Sequence, residues 1–173
     1  EKRALLIGIG HYPKGSGWQE ISSANDMCLL KEMLSSYDLQ VLLDKDATHE
    51  NIKKSIIQLC NKTHEGDTIL IHFSCHGQQM LPLNDDNEID NLDEALVPYD
   101  AYSAQTQTYD GRNHLRDDEM EGFLSSIRKA AGANGLVLLT IDACFSDSMH
   151  KGAKKDKTKY RGGASIFGAN NLS

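Results

Sequence analysis

The sequence predicts an α/β domain in which a mostly parallel sheet carries helices on both faces. Three observations lead there. Short apolar runs, Ala4–Ile9 and Leu136–Ile141, read as buried strands, and Thr68–Ser74 as a β-branched and apolar one. Between them lie segments whose apolar residues recur every three or four positions, as in helices with one buried stripe. The two kinds alternate, which calls for right-handed crossovers and a parallel sheet.

Taken in order, Ala4–Ile9 ends in Gly10 and a Gly-rich loop with Gly15 and Gly17. Ser22 or Ser23 can cap a first helix, whose face is set by Ala24, Met27, Leu30 and Leu34. Gln40–Leu43 is a second short strand. Thr48 caps a second helix with the stripe Ile52, Ile56, Leu59 and Cys60. Gly66 and Asp67 turn the chain into the β-branched third strand, Thr68–Ser74. A polar stretch over 84–93 follows, then Ala95–Pro98, too short for a core helix. Asp118 and Glu121 have capping-box spacing for a third helix that turns Met120, Phe123, Leu124 and Ile127 inward. Leu136–Ile141 is expected as a fourth buried strand.

The chain has 173 residues, enough for one domain with a single core and too few for two. With 39% hydrophobic and 25% charged residues it reads as globular, and no apolar run reaches membrane-spanning length. A net charge of −7 argues against a general nucleic-acid or anionic-membrane binder. Four Cys without paired spacing form no disulfide framework, so a reducing, cytoplasmic setting is expected. The chain opens at Glu1 beside an apolar run, without an initiator Met or a signal-peptide pattern, as a cut end does.

Ligands of such sheets bind beyond the carboxyl ends of the strands. His11 and Tyr12, Asp44, Ser74-Cys75-His76 and Asp142-Ala143-Cys144 stand there. If the third and fourth strands are neighbours, His76 and Cys144 share one rim. A thiol beside an imidazole suits acyl transfer through a thioester, because histidine promotes the thiolate and protonates the leaving amine. Gly77 leaves the backbone beside His76 open for an oxyanion. The competing reading is a buried structural thiol and a satisfied polar histidine. Cys28 and Cys60, on helices, read as core thiols. His49, His64, His114 and His150 read as exposed loop or cap residues, and Tyr12 and Trp18 as candidates to border the cleft.

At this point the sequence resembles a family. Leu5–Ile9, Asn25-Asp26, Ser74–Gly77, Asp93–Pro98 and Asp142–Cys144 follow the order of caspase-like cysteine peptidases, most closely the metacaspase and bacterial caspase-like branch. The resemblance runs from residue 3 to about residue 148. It implies a caspase-like three-layer sandwich and a catalytic dyad of His76 and Cys144, which lie 68 residues apart. Two positions depart from the pattern: Phe145, where many metacaspases carry His, and Asp147, where Gly is usual. Both bear on loop geometry more than on chemistry.

The resemblance also assigns specificity. Asp142 stands where caspases proper have Gln, and with Asp26 and Ser74 it matches the metacaspase pocket. Two carboxylates there would repel an acidic side chain and pair with Arg or Lys, Arg giving the better fork. Read singly, Asp26 is a helix-cap residue and Asp142 a turn residue. No cofactor is required. Between 84 and 100 stand seven carboxylates and no Lys or Arg, which fits a solvated loop or a calcium ion. Calcium-dependent metacaspases use an Asp at the position of Asp93 and a pair at Asp117-Asp118. A further Asp of that site is Lys151 here, and EF-hand spacing is lacking.

The expected activity is a cysteine endopeptidase cleaving proteins or peptides after Arg or Lys, with no nucleic-acid or membrane partner. Its rivals are an idle caspase-like scaffold and a legumain- or clostripain-like peptidase. Residues 1–150 are expected to form the catalytic, large-subunit domain. Residues 151–163 form a basic flexible linker, read either as a plain solvated loop or as a self-processing region cut after a residue such as Lys159 or Arg161. Residues 164–173 begin a small-subunit segment. A sheet ending at the fourth strand exposes an apolar edge, so a second chain or segment of the same precursor is expected beside it.

Overall fold

The computed structural model describes residues 1–81, 92–145 and 167. The linker 151–163 and the carboxylates of 85–90 lie outside the described residues, as does all of 164–173 except Phe167.

The chain builds β1 (Lys2–Gly8), α1 (Ser23–Met33), β2 (Asp38–Leu43), α2 (His49–Lys62) and β3 (Thr68–Ser74). It continues with β4 (Gly77–Met80), β5 (Asp93–Leu96), β6 (Leu115–Arg116), α3 (Asp117–Ala131) and β7 (Leu136–Asp142). Four parallel strands form the main sheet in the order β2-β1-β3-β7. Side chains alternate across it. Leu5, Ile7, Ile69, Ile71 and Phe73 are buried with Ile52, Ile56 and Leu59 of α2 and with Met120 and Ile127 of α3. The opposite face receives α1, so closely that a Cβ at Gly8 would lie 2.5 Å from the Met27 side chain. Helices therefore flank both faces, as the sequence predicts.

Thr48 caps α2 through its hydroxyl, which accepts the Asn51 N–H at 3.3 Å. Several local expectations need correction. Neither Ser22 nor Ser23 caps α1: Ser22 makes no side-chain cap bond, and the Ser23 hydroxyl donates to the Ile9 carbonyl at 3.1 Å, tying helix to strand. Ala24 and Cys28 are exposed, and Cys60 is half-buried against the core. The expected Asp118 capping box is not the start of α3, which begins at Asp117 after Arg116 without a side-chain cap bond. Strand β7 is not buried on both faces: Leu136, Leu138 and Ile141 are exposed, because β7 pairs with β3 on one side only among the described residues.

A second sheet has no counterpart in the sequence reading. Strands β4, β5 and β6 are antiparallel, and β4 leaves directly from the end of β3. Ala95 and Leu96, in the piece too short for a core helix, belong to β5. Phe167 closes on the edge of β4, its N–H donating to the Gln79 carbonyl at 2.9 Å.

His114 sits in this region and is buried, against expectation, at 3% exposure. The Gln78 amide donates to the Ser103 carbonyl at 2.8 Å, so its Oε1 accepts from His114 Nε2 at 2.8 Å. Nδ1 is then the acceptor for the Tyr109 hydroxyl at 2.9 Å. A neutral imidazole satisfies every partner. Burial, reinforced by the Arg116 and His49 charges, pushes its pKa down to about 4. The unfolded histidine takes its proton near 6.5, so stability is complete above that pH and falls as pH drops from 6.5 to about 4. We expect a loss of roughly 3 kcal/mol across this window. Chemical denaturation of the wild type and of His114→Gln at several pH values checks it: the variant should lack this part of the slope.

Candidate active site

Parallel pairing of β3 with β7 puts Ser74 opposite Asp142. The ladder runs one step further, from the Cys75 N–H to the Asp142 carbonyl at 3.3 Å. His76-Gly77 and Cys144-Phe145 thus leave the same end of adjacent strands. How close they come is seen at Gly77, where a Cβ would lie 2.7 and 2.8 Å from the Phe145 ring and 3.0 Å from the Cys144 carbonyl oxygen. Only a residue without a side chain lets the two segments pass. Phe145, one of the positions that departs from the family pattern, makes this contact.

The loop after β1 builds the walls around His76. The Gly10 and His11 N–H groups donate to Asp44 Oδ1 at 2.8 and 2.9 Å, anchoring the loop to the end of β2. Trp18 stacks on the His76 imidazole with ring centroids 4.9 Å apart, and Tyr12 stands 5.3 Å away. The Trp18 indole N–H donates to the Ala101 carbonyl at 2.9 Å. The Tyr12 hydroxyl accepts the His76 N–H at 3.2 Å and donates to the Val97 carbonyl at 2.9 Å. The Val97 N–H closes the circuit by donating to the His76 carbonyl at 3.0 Å. Both aromatic residues therefore border this site. Buried to 1% exposure, the imidazole is held at one nitrogen by the Gln19 carbonyl, 2.7 Å from Nε2. A carbonyl only accepts, so Nε2 carries the proton and Nδ1 is the basic nitrogen of the neutral ring. Sequence reasoning missed Gln19, because a backbone carbonyl leaves no side-chain signature.

On the α1 side of the sheet, the Ser74 hydroxyl donates to Asp26 Oδ2 at 3.1 Å. Ser74 is fully buried, whereas Asp142, its register partner on the same face, is exposed. The bond unites Asp26 with Ser74, and the register sets Asp142 beside them. Two carboxylates and a hydroxyl form an acidic corner on this face at the strand ends. The far face next to Phe145 is apolar, with a hollow of about 270 Å³ lined by Leu96, Leu115, Met120, Leu139 and Ile141. Cys144 is half-exposed and carries a free thiol, while Cys75 is buried in the core. Cys75 and Cys144 are thus one structural and one accessible thiol.

Two of the three carboxylates that the resemblance links to calcium have partners within the chain. Asp93 forms a salt bridge with Arg116, and Asp117 Oδ1 accepts the Asp118 N–H at 3.0 Å. Among the described residues, no group of three or more His, Cys, Asp or Glu is arranged to hold a metal ion. No helix among them is long and apolar enough to cross a membrane.

Comparison with known proteins adds to this geometry. The family model for the caspase domain matches residues 1–170. Metacaspase-7 of Arabidopsis thaliana is 28% identical over 175 residues, covering 95% of this chain and 38% of that protein. Metacaspase-3 of the same plant is 31% identical over 159 residues, covering 86% and 41%. Metacaspase-1 of Meyerozyma guilliermondii is 27% identical over 189 residues, covering 97% and 43%. The chain thus spans about two-fifths of the length of these relatives. A crystal structure of a Geobacter sulfurreducens protein superposes with a TM-score of 0.71 at 22% identity, over 94% of this chain and 57% of that one, which shows a shared fold.

The Gly77 contact is open to test by stability. Gly77→Ala should lower the unfolding free energy by about 1–3 kcal/mol, as overpacking does. Adding Phe145→Ala should return part of that loss, since the two changes share one space. Thermal denaturation of the two single variants and the double variant measures the coupling, and strict additivity would contradict the contact.

Proposed function

The chain belongs to the caspase-domain family, and from that premise we propose that it is a cysteine endopeptidase cutting after Arg or Lys, with Cys144 as nucleophile and His76 as general acid and base. The observation that carries this reading is the close passage of the His76-Gly77 and Cys144-Phe145 segments at Gly77. It brings the only accessible thiol of the strand-end segments to the strand end that bears a tightly oriented imidazole.

In the reaction we propose, the Cys144 thiolate attacks the scissile carbonyl carbon. A C–S bond forms, and the carbonyl electrons move onto oxygen. Backbone N–H groups at Gly77 and Cys144 stabilise that oxyanion. His76 delivers a proton to the leaving amine as the C–N bond breaks, leaving a thioester. Water, deprotonated by His76, then releases the acid and regenerates the thiol. The Gln19 bond suits this role, since it fixes the tautomer and orientation of the ring. Trp18 and Tyr12 hold the ring plane.

Asp26, Ser74 and Asp142 receive the basic side chain in this reading. Ser74 orients Asp26 through its hydroxyl, and Asp142 adds the second charge. A guanidinium can bridge such a pair, while an aspartyl side chain would bring like charge into it. Beyond the described residues, the basic run 151–161 is proposed as a self-processing linker, because it carries Lys and Arg shortly after the nucleophile. A small-subunit segment or second chain is proposed to lie along β7, where exposed Leu136 and Leu138 support an apolar partner.

Fluorogenic peptides ending in Arg, Lys or Asp test the specificity. We expect cleavage after Arg and Lys, none with Cys144→Ala, and kcat/KM for Arg lowered about 10²-fold or more in Asp26→Asn, the cost of removing one partner of a charge pair. Faster cleavage after Asp would sink the pocket assignment. For processing, fragments ending within 151–161 should appear in the active protein and be absent from Cys144→Ala. Fragments in both would point to a foreign protease.

A further inference from the structure

Arg116 stands at the last pair of the second sheet, opposite Ala95, so its side chain shares a face with Asp93 two residues earlier on β5. It does two things there. It forms a salt bridge with the Asp93 carboxylate, and its Nη1 donates to the Leu81 carbonyl at 3.2 Å. Both side chains are largely withdrawn from water, at 16% exposure for Arg116 and 23% for Asp93. Leu81 follows the end of β4 and Asp93 opens β5, paired with Met80. One guanidinium therefore holds both stems of the segment 82–91, whose sequence carries Asp85, Asp86, Glu88 and Asp90 with no base. Asp117 and Asp118 follow Arg116 directly in the first turn of α3, where negative charge also suits the helix N-terminus.

We propose that Arg116 is the resident cation of this corner, clasping the two stems in place of a bound metal, so that Asp93 is not a ligand for a divalent ion and the protein folds and works without calcium. The planar fork is well shaped for such a clasp, because one guanidinium satisfies a carboxylate and a carbonyl together, which a hydrated ion would do only by displacing the salt bridge. A calcium ion at Asp93 would also meet a fixed positive charge among its neighbours, and calcium sites depend on oxygen ligands alone.

The binding and folding parts of this inference are independent of the peptidase reading, on which only the cleavage readout rests, and the first readouts are heat of binding and thermal midpoint. Titration of the metal-free 173-residue protein with calcium chloride up to about 5 mM, above the dissociation constants of weak calcium modules, should give no saturable heat and no rise in midpoint. Any binding that survives Asp93→Asn lies elsewhere and agrees with the proposal. Arg116→Gln should lower the midpoint by about 4 °C or more, a loss of roughly the size expected for a partly buried pair in a chain of this length. Arg116→Lys, which keeps the charge without the fork, should fall between. Cleavage activity should be the same in calcium and in chelator. Saturable calcium binding that Asp93→Asn abolishes would overturn the proposal, as would an Arg116→Gln midpoint equal to that of the wild type. Should Arg116→Gln fail to fold, the titrations of wild type and Asp93→Asn decide the matter alone.

Discussion

The passage of two chain segments at Gly77 is the constraint on which the rest of the site depends. A single methyl group there would collide with the Phe145 ring and crowd the Cys144 carbonyl. That closeness is inherited from the sheet. Because β3 and β7 run parallel as neighbours in register, both chains emerge at one rim, and the first residues beyond it must share the same small volume. The His76 and Cys144 segments are therefore brought to one rim by backbone pairing and one missing side chain. The supporting shell is equally rigid: stacked Trp18, the Gln19 carbonyl, and the circuit of Tyr12, Val97 and the His76 backbone all fix one ring.

Much of this is legible in the sequence because it rests on periodicity. Strands β1 and β3 announce themselves as apolar runs, and α2 through Ile52, Ile56 and Leu59, since core burial dictates residue type directly. The rim residues follow from the rule that chemistry sits just past strand ends. What escapes is whatever depends on contact between segments distant in the chain. The short strands β4 and β6 have too few residues for an alternation to be seen. His114 sits in a polar neighbourhood and reads as exposed, yet Gln78 and Tyr109 bury it by satisfying both its nitrogens. Strand β7 has the composition of a buried strand, but burial needs a neighbour, and composition does not say on which side one stands. Gln19 acts through its backbone, which no residue type reveals.

Arg116 shows how one residue can change the meaning of a motif. The carboxylates at 93, 117 and 118 are all present, and by count alone they invite a metal. The arginine directly before the pair supplies the opposite charge from within the chain. A fixed intramolecular cation needs no ion from solution and cannot be removed by dilution. It also ties β5 and β6 to the residue that follows β4, at the end of the small sheet away from His76, so the scaffold beside the site has its own electrostatic tie.

In the proposed chemistry Cys144, steered by an acidic pocket, attacks a carbonyl that follows a basic side chain. Its most direct test is the intact mass of the protein after exposure to a peptidyl electrophile ending in Arg, followed by mapping of the modified residue. One adduct at Cys144 is predicted, absent from Cys144→Ala and slow to form with the matching aspartyl reagent. An adduct at Cys28 or Cys60 instead, or faster labelling by the aspartyl reagent, would contradict it.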